Sequence, residues 1–169
     1  MTPTSKESIG TGTHRAHGPV RKVTSVIALV AVLLILLAAP ALAAVITGSA
    51  GRDNISGSDQ PDSIYGKGGN DTLDGNGAGD RLFGGVGNDT TNGGDGTDQL
   101  YGMDGNDRIF GGPGDDRLAG HAGDDLLVGE QGRTDEFYGG PGFDTCVVEG
   151  PEHAKGHNLS SCEEIVNGK

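Results

Sequence analysis

Tryptophan is absent from this 169-residue chain, and four Phe and three Tyr make up its whole aromatic complement. Apolar residues reach 33%, against roughly 45–50% in an ordinary globular domain. Each ordered residue costs about 1–2 kcal/mol of backbone entropy. Glycine, of which there are 33, costs the most. A conventional enzyme with a packed core is therefore not expected. Basic residues are scarce as well. Twelve Lys and Arg stand against 24 Asp and Glu, the wrong sign for a nucleic-acid binder. Two descriptions fit such a composition: an acidic disordered tail, or a repeat protein stabilised by something other than a hydrophobic core.

Most of the aliphatic residues that do occur are at the front. Residues 1–22 hold Lys6, Arg15, Arg21 and Lys22 with a single acid, Glu7, and the run from Val26 to Ala44 carries no charge. A basic flank, an apolar run and Ala41-Leu42-Ala43 make a secretory leader over residues 1–43, with cleavage after Ala43. A retained anchor is the alternative, because nineteen apolar residues as a helix reach about 28 Å, nearly a bilayer core. Pro40 argues against a continuous helix there. With the basic flank held inside, both outcomes put residues 47–169 outside the cytoplasm. Past residue 43 the chain has 23 Asp and Glu and 8 Lys and Arg, a formal charge of −15.

After a short linker at 44–47, a nine-residue period begins. Glycine recurs at 48, 57, 66, 75, 84, 93, 102, 111, 120 and 129, and after one inserted residue at 139. Eleven units and the insertion fill residues 48–147. The sixth position of each unit is aspartate: Asp53, Asp62, Asp71, Asp80, Asp89, Asp98, Asp107, Asp116 and Asp125, then Asp135 and Asp144 beyond the insertion. Two residues later stands an apolar side chain, from Ile55 to Phe137, with Thr91 and Cys146 as exceptions. The fourth position is usually glycine, as at Gly69, Gly87, Gly96, Gly105, Gly114 and Gly123. A flexible Gly/Asp linker would hold neither the aspartates nor the apolar residues in phase.

Units such as Gly84-Gly85-Val86-Gly87-Asn88-Asp89 follow G-G-x-G-x-D-x-U-x, with U apolar, and this pattern resembles the hemolysin-type calcium-binding repeats of RTX proteins. Glycines allow a tight turn with carbonyls directed into the bend. The three residues after the aspartate form a short strand with U inward. Two units then complete one turn, so aspartates eighteen residues apart stack. The resemblance implies an all-β, right-handed parallel β-roll in which calcium ions bridge successive turns through these aspartates and glycine-rich turn carbonyls. A hard cation takes 6–8 oxygens at about 2.3–2.6 Å. Candidate pairs run from Asp53 with Asp71 to Asp107 with Asp125, and across the insertion Asp116 with Asp135 and Asp125 with Asp144. Stacked carboxylates repel, so ion binding supplies folding free energy, and the ion-free chain is expected to be disordered. Magnesium is disfavoured by its preference for a tight hydrated octahedron.

Unit two, Gly57-Ser58-Asp59-Gln60-Pro61-Asp62, lacks the second and fourth glycines, and Thr91 brings a hydroxyl to an inward position. Residues 148–169 leave the repeat and are expected to cap the roll. Cys146 and Cys162 are the chain's only cysteines, and outside the cytoplasm such a pair is expected as a disulfide. His153 and His157 are taken as solvated loop residues. With leader, repeats and cap accounting for the sequence, the expectation is a secreted, non-enzymatic calcium-binding protein. The alternative is a cell-surface or matrix interaction protein that uses calcium structurally.

Overall fold

A computed structural model describes residues 42–129, 134–148 and 158–167. The expected leader as far as Ala41, the insertion stretch 130–133, and His153 and His157 lie outside the described residues. Every regular element among those described is a strand, as expected where a glycine in each turn leaves room for only three to six extended residues between bends.

The fourteen strands alternate between two parallel seven-stranded sheets. The first contains β1 (Val45–Thr47), β3 (Ser63–Gly68), β5 (Arg81–Val86), β7 (Gln99–Asp104), β9 (Arg117–Ala122), β11 (Glu136–Tyr138) and β13 (Asn158–Ser160), in that order. The second contains β2 (Asn54–Ser56), β4 (Thr72–Asp74), β6 (Thr90–Asn92), β8 (Arg108–Phe110), β10 (Leu126–Gly129), β12 (Thr145–Val148) and β14 (Glu164–Asn167). Each strand pairs with the one two places on, the topology of a parallel β-solenoid. Register pins the offset at eighteen residues, as in Ile64↔Leu82 and Leu73↔Thr91. It becomes nineteen at Leu118↔Phe137 and Leu127↔Cys146. The single inserted residue changes the offset and leaves the stacking uninterrupted.

Between the sheets lies one row of inward side chains from each. Ile64, Leu82, Leu100, Leu118 and Phe137 meet Leu73, Ile109, Leu127 and Cys146, all at 0–1% exposure. Complete burial of such a side chain contributes about 1.5–3 kcal/mol, but the layer is one residue thick. Thr91 occupies an inward place at 0% exposure and its hydroxyl has no hydrogen-bond partner. An unsatisfied buried hydroxyl costs about 1–3 kcal/mol. Thr91→Val keeps the shape and removes that cost, so it should stabilise the folded chain by about 1 kcal/mol, read as a higher denaturant midpoint. An unchanged or lower midpoint would mean that the hydroxyl is satisfied in solution.

The outer face of the first sheet carries a stack of rings along the solenoid, Tyr65 on Phe83 at 4.8 Å and Phe83 on Tyr101 at 4.9 Å between centroids. Both ends differ from what the repeat alone suggests. Strand β1 falls within the four residues taken as a linker and pairs with β3. The C-terminal segment adds one strand to each sheet, β13 and β14, so it extends the solenoid and does not lie across its end. Ile165 follows the inward row opposite Cys146, whereas Val166 faces outward opposite Val147. The Cys146–Cys162 disulfide is formed.

Candidate metal centre

The repeat places its sixth-position aspartates in two columns, one beside each sheet edge. Asp62, Asp71, Asp80, Asp89, Asp98, Asp107, Asp116, Asp125, Asp135 and Asp144 are exposed by 3% or less. Each column is a ladder of hydrogen bonds between coils. The Asp71 N–H donates to Asp89 Oδ1, that of Asp89 to Asp107, and that of Asp107 to Asp125, at 2.7–2.8 Å. In the other column the Asp62 N–H donates to Asp80, Asp80 to Asp98 and Asp98 to Asp116. Both columns continue past the insertion, from Asp116 to Asp135 and from Asp125 to Asp144, at 3.0 Å. Asp53 is bonded to Asp71 in the same way. All the pairs anticipated from the spacing are thus neighbours.

One oxygen of each carboxylate is used in this ladder. The other, Oδ2 of Asp71, Asp80, Asp89, Asp98, Asp107, Asp116, Asp125 and Asp144, is buried without a hydrogen-bond donor. Such an oxygen is costly unless a cation meets it. What it faces is the first glycine of its own unit, and at Gly66, Gly75, Gly84, Gly93 and Gly139 a carbonyl from the next coil stands at the same place. A Cβ on Gly84 would stand 2.5 Å from Asp89 Oδ2 and 2.7 Å from the Gly102 carbonyl oxygen. Only glycine leaves this space open. Fourth-position carbonyls are stacked as well: a Cβ on Gly87, Gly105, Gly114 or Gly123 would overlap the carbonyl of Gly69, Gly87, Gly96 or Gly105. Among the described residues no three His, Cys, Asp or Glu side chains gather at one point. The donor set is therefore a carboxylate with main-chain oxygens, hard ligands that suit calcium and offer nothing soft for zinc.

The two N-terminal aspartates differ. Asp53 Oδ2 accepts the backbone N–H and hydroxyl of Ser49, at 2.6 and 2.9 Å. Asp62 Oδ2 accepts the same pair from Ser58, at 2.7 and 2.9 Å. Serine at the second position gives these two oxygens the donors that the others lack. Two further features escaped the sequence reading. Fifth-position Asn70, Asn88 and Asn106 form their own ladder, each Oδ1 accepting the N–H of the residue eighteen places on. Its signal was asparagine recurring at eighteen-residue intervals. Glu163 also joins the aspartate column, its Oε2 accepting the Asp144 N–H at 2.8 Å.

Burial dominates the proton equilibria. Removal from water pushes Asp80, Asp98 and Asp125 up to about 6 and Asp107 and Asp116 up to about 7. Neighbouring carboxylates add to the rise, Asp125, Asp89 and Asp104 around Asp107, and Asp98, Asp135 and Asp115 around Asp116. Asp53 moves down, held by the Ser49 N–H and hydroxyl. At Asp62 burial pushes up, but donors from Ala44 and Ser58 prevail and its value also falls. In the ion-free chain, folded Asp107 and Asp116 keep protons up to about pH 7, whereas unfolded aspartates lose theirs near 3.9. Their contribution to stability is whole below the lower value and is lost as pH rises through the upper one. With chelator present, the β-signal in circular dichroism should be stronger at pH 5 than at pH 8. A signal that grows with pH would contradict this.

Fold and site together define a calcium-binding parallel β-roll. Comparison with protein families agrees: residues 47–80, 65–100, 92–127 and 101–134 match the RTX calcium-binding nonapeptide repeat. The chain belongs to this RTX calcium-binding repeat family. No curated protein matches it.

Proposed function

We propose that the protein is a secreted, non-enzymatic calcium-binding repeat protein whose folding is coupled to ions held between successive coils. The observation that carries this is the paired columns of buried Oδ2 atoms without donors, those of Asp71, Asp80, Asp89, Asp98, Asp107, Asp116, Asp125 and Asp144. Once ionised, each needs a positive partner, and main-chain oxygens stand beside the first glycines that face Asp71, Asp80, Asp89, Asp98 and Asp144. The proposed ligands are the sixth-position aspartates with the turn carbonyls of Gly69, Gly87, Gly96, Gly105, Gly114 and Gly123. Asp53 and Asp62, already satisfied by serine, are the least dependent on an ion. Extracellular calcium modules bind at about 10⁻⁴–10⁻³ M, so such a chain would remain unfolded inside the cell and fold after export. Cleavage after Ala43 would release it.

Equilibrium dialysis tests the binding. Several calcium ions per chain are expected, with magnesium unable to displace them at equal concentration. One ion or none would overturn the reading. Mass measurement of the exported form should give a chain that starts at Ala44. A surface-interaction role is favoured by one observation, the outward Tyr65–Phe83–Tyr101 stack, whose Tyr65 is 38% exposed. Calcium-dependent retention on cell-wall or matrix material would support that role.

A further inference from the structure

The aspartate column that ends at Asp144 continues into residues that no nonapeptide contains. Asp144 is wholly buried. Its Oδ1 accepts the Asp125 N–H at 3.0 Å, and its Oδ2 has no donor. At Asp71, Asp80, Asp89 and Asp98, such an Oδ2 and the carbonyl of the next coil both crowd the unit's first glycine. The same arrangement recurs here: a Cβ on Gly139 would run into both Asp144 Oδ2 and the Ser161 carbonyl oxygen. Ser161 therefore takes the place that Gly102 has opposite Gly84 and Asp89.

The sixth-position role is also filled. In the repeat, four residues separate the first glycine from its aspartate. Here the turn is cut to Ser161-Cys162-Glu163, with Ser161 at φ +60°. Glu163 Oε2 accepts the Asp144 N–H at 2.8 Å, as Asp107 Oδ1 accepts that of Asp89 at 2.7 Å. The backbone N–H groups of Glu163 and Glu164 both donate to the Asp144 carbonyl, at 3.1 Å, which fixes the short turn against the last coil.

We infer that Asp144, the Ser161 carbonyl and Glu163 form an additional calcium site that closes this column, and that the Cys146–Cys162 disulfide keeps it assembled. This rests on the calcium reading above. The ligands are hard oxygens, one of them a buried carboxylate oxygen with no other partner, which suits a calcium ion completed by water. The disulfide joins the residue two places after Asp144 to the residue just before Glu163, with Cα atoms 5.9 Å apart. It thereby ties together the two segments that supply the ligands. Without it the Ser161–Glu163 turn is held by its hydrogen bonds to Asp144 and by the pairing of the flanking strands β13 and β14, with no covalent tie to the last coil. Calcium capacity at this end then depends on the redox state of the protein.

Native mass spectrometry of the oxidised full chain in calcium counts the ions. Glu163→Gln should bind one calcium fewer than the wild type, and Glu164→Gln the same number as the wild type. Reducing the wild type should remove one ion, and reducing Glu163→Gln should remove none further. A wild-type count in oxidised Glu163→Gln would overturn the inference, as would reduction that removes an ion from that variant too. If Glu163→Gln fails to fold, reduction of the wild type decides alone: a lost ion supports the site and an unchanged count rejects it. A wild type that binds no calcium in any state would sink the underlying calcium reading instead, a distinct result.

Discussion

Replacing Asp98 with alanine should raise the calcium concentration for half-maximal folding by about tenfold or more. The side chain is 1% exposed, and its Oδ1 accepts the Asp80 N–H at 2.7 Å. Alanine leaves that N–H buried without an acceptor, at a cost of about 1–3 kcal/mol, where about 1.4 kcal/mol corresponds to tenfold in an equilibrium constant. It also removes an Oδ2 proposed to meet an ion. Asp59 and Asp95 carry the same charge, but they occupy exposed third positions. Asp59→Ala and Asp95→Ala should move the midpoint by less than about twofold. Equal shifts in all three would mean that bulk negative charge, and not ligand geometry, controls binding.

Gly87→Ala should do comparable damage without touching a carboxylate. Gly87 adopts φ +133°, and a Cβ there would overlap the Gly69 carbonyl of the preceding coil. The left-handed conformation alone costs a residue with a Cβ about 1–2 kcal/mol. Because the obstacle is main chain, relief requires the coils to move apart, which would break the Asp71–Asp89 bond beside it. A destabilisation of about 2 kcal/mol or more is expected, read as lost amide protection in the coils around Gly87. Gly77→Ala is the comparison, since nothing lies nearer than 3.8 Å to its Cβ and its φ is not positive. Parent-like stability in Gly87→Ala would show that the stacked carbonyls are more compliant than the coil spacing suggests.

The period made the architecture legible because every ninth residue faces the same physical demand. A glycine must bend the chain, an aspartate must sit at the edge, and a U residue must point inward. That is why Leu82, Leu100 and Leu118 could be stacked on paper, and why Thr91 stood out as a hydroxyl in the core. The column pairing followed from the same count. What escaped lies where a residue serves its neighbour and not its own unit. Ser49 and Ser58 look like defects in the glycine pattern, yet their donors occupy the Oδ2 atoms of Asp53 and Asp62. Glu163 falls outside the nine-residue count because its turn is shortened, and only the fold brings it under Asp144. Residues 45–47 lack the glycines and aspartate of a unit, yet Ile46 holds the apolar position eighteen residues before Ile64, and the strand forms because β3 offers it an edge.

A calcium titration of the protein after chelation, followed by far-UV circular dichroism and hydrodynamic radius together, tests the central claim most directly. The buried, donor-free carboxylates and the −15 charge past residue 43 predict an expanded, disordered chain without calcium. Calcium at about 10⁻⁴–10⁻³ M should convert it to a compact β-rich form in one cooperative step, with magnesium far less effective. A spectrum and radius left unchanged when EDTA removes the calcium would contradict the coupling of ion binding to folding.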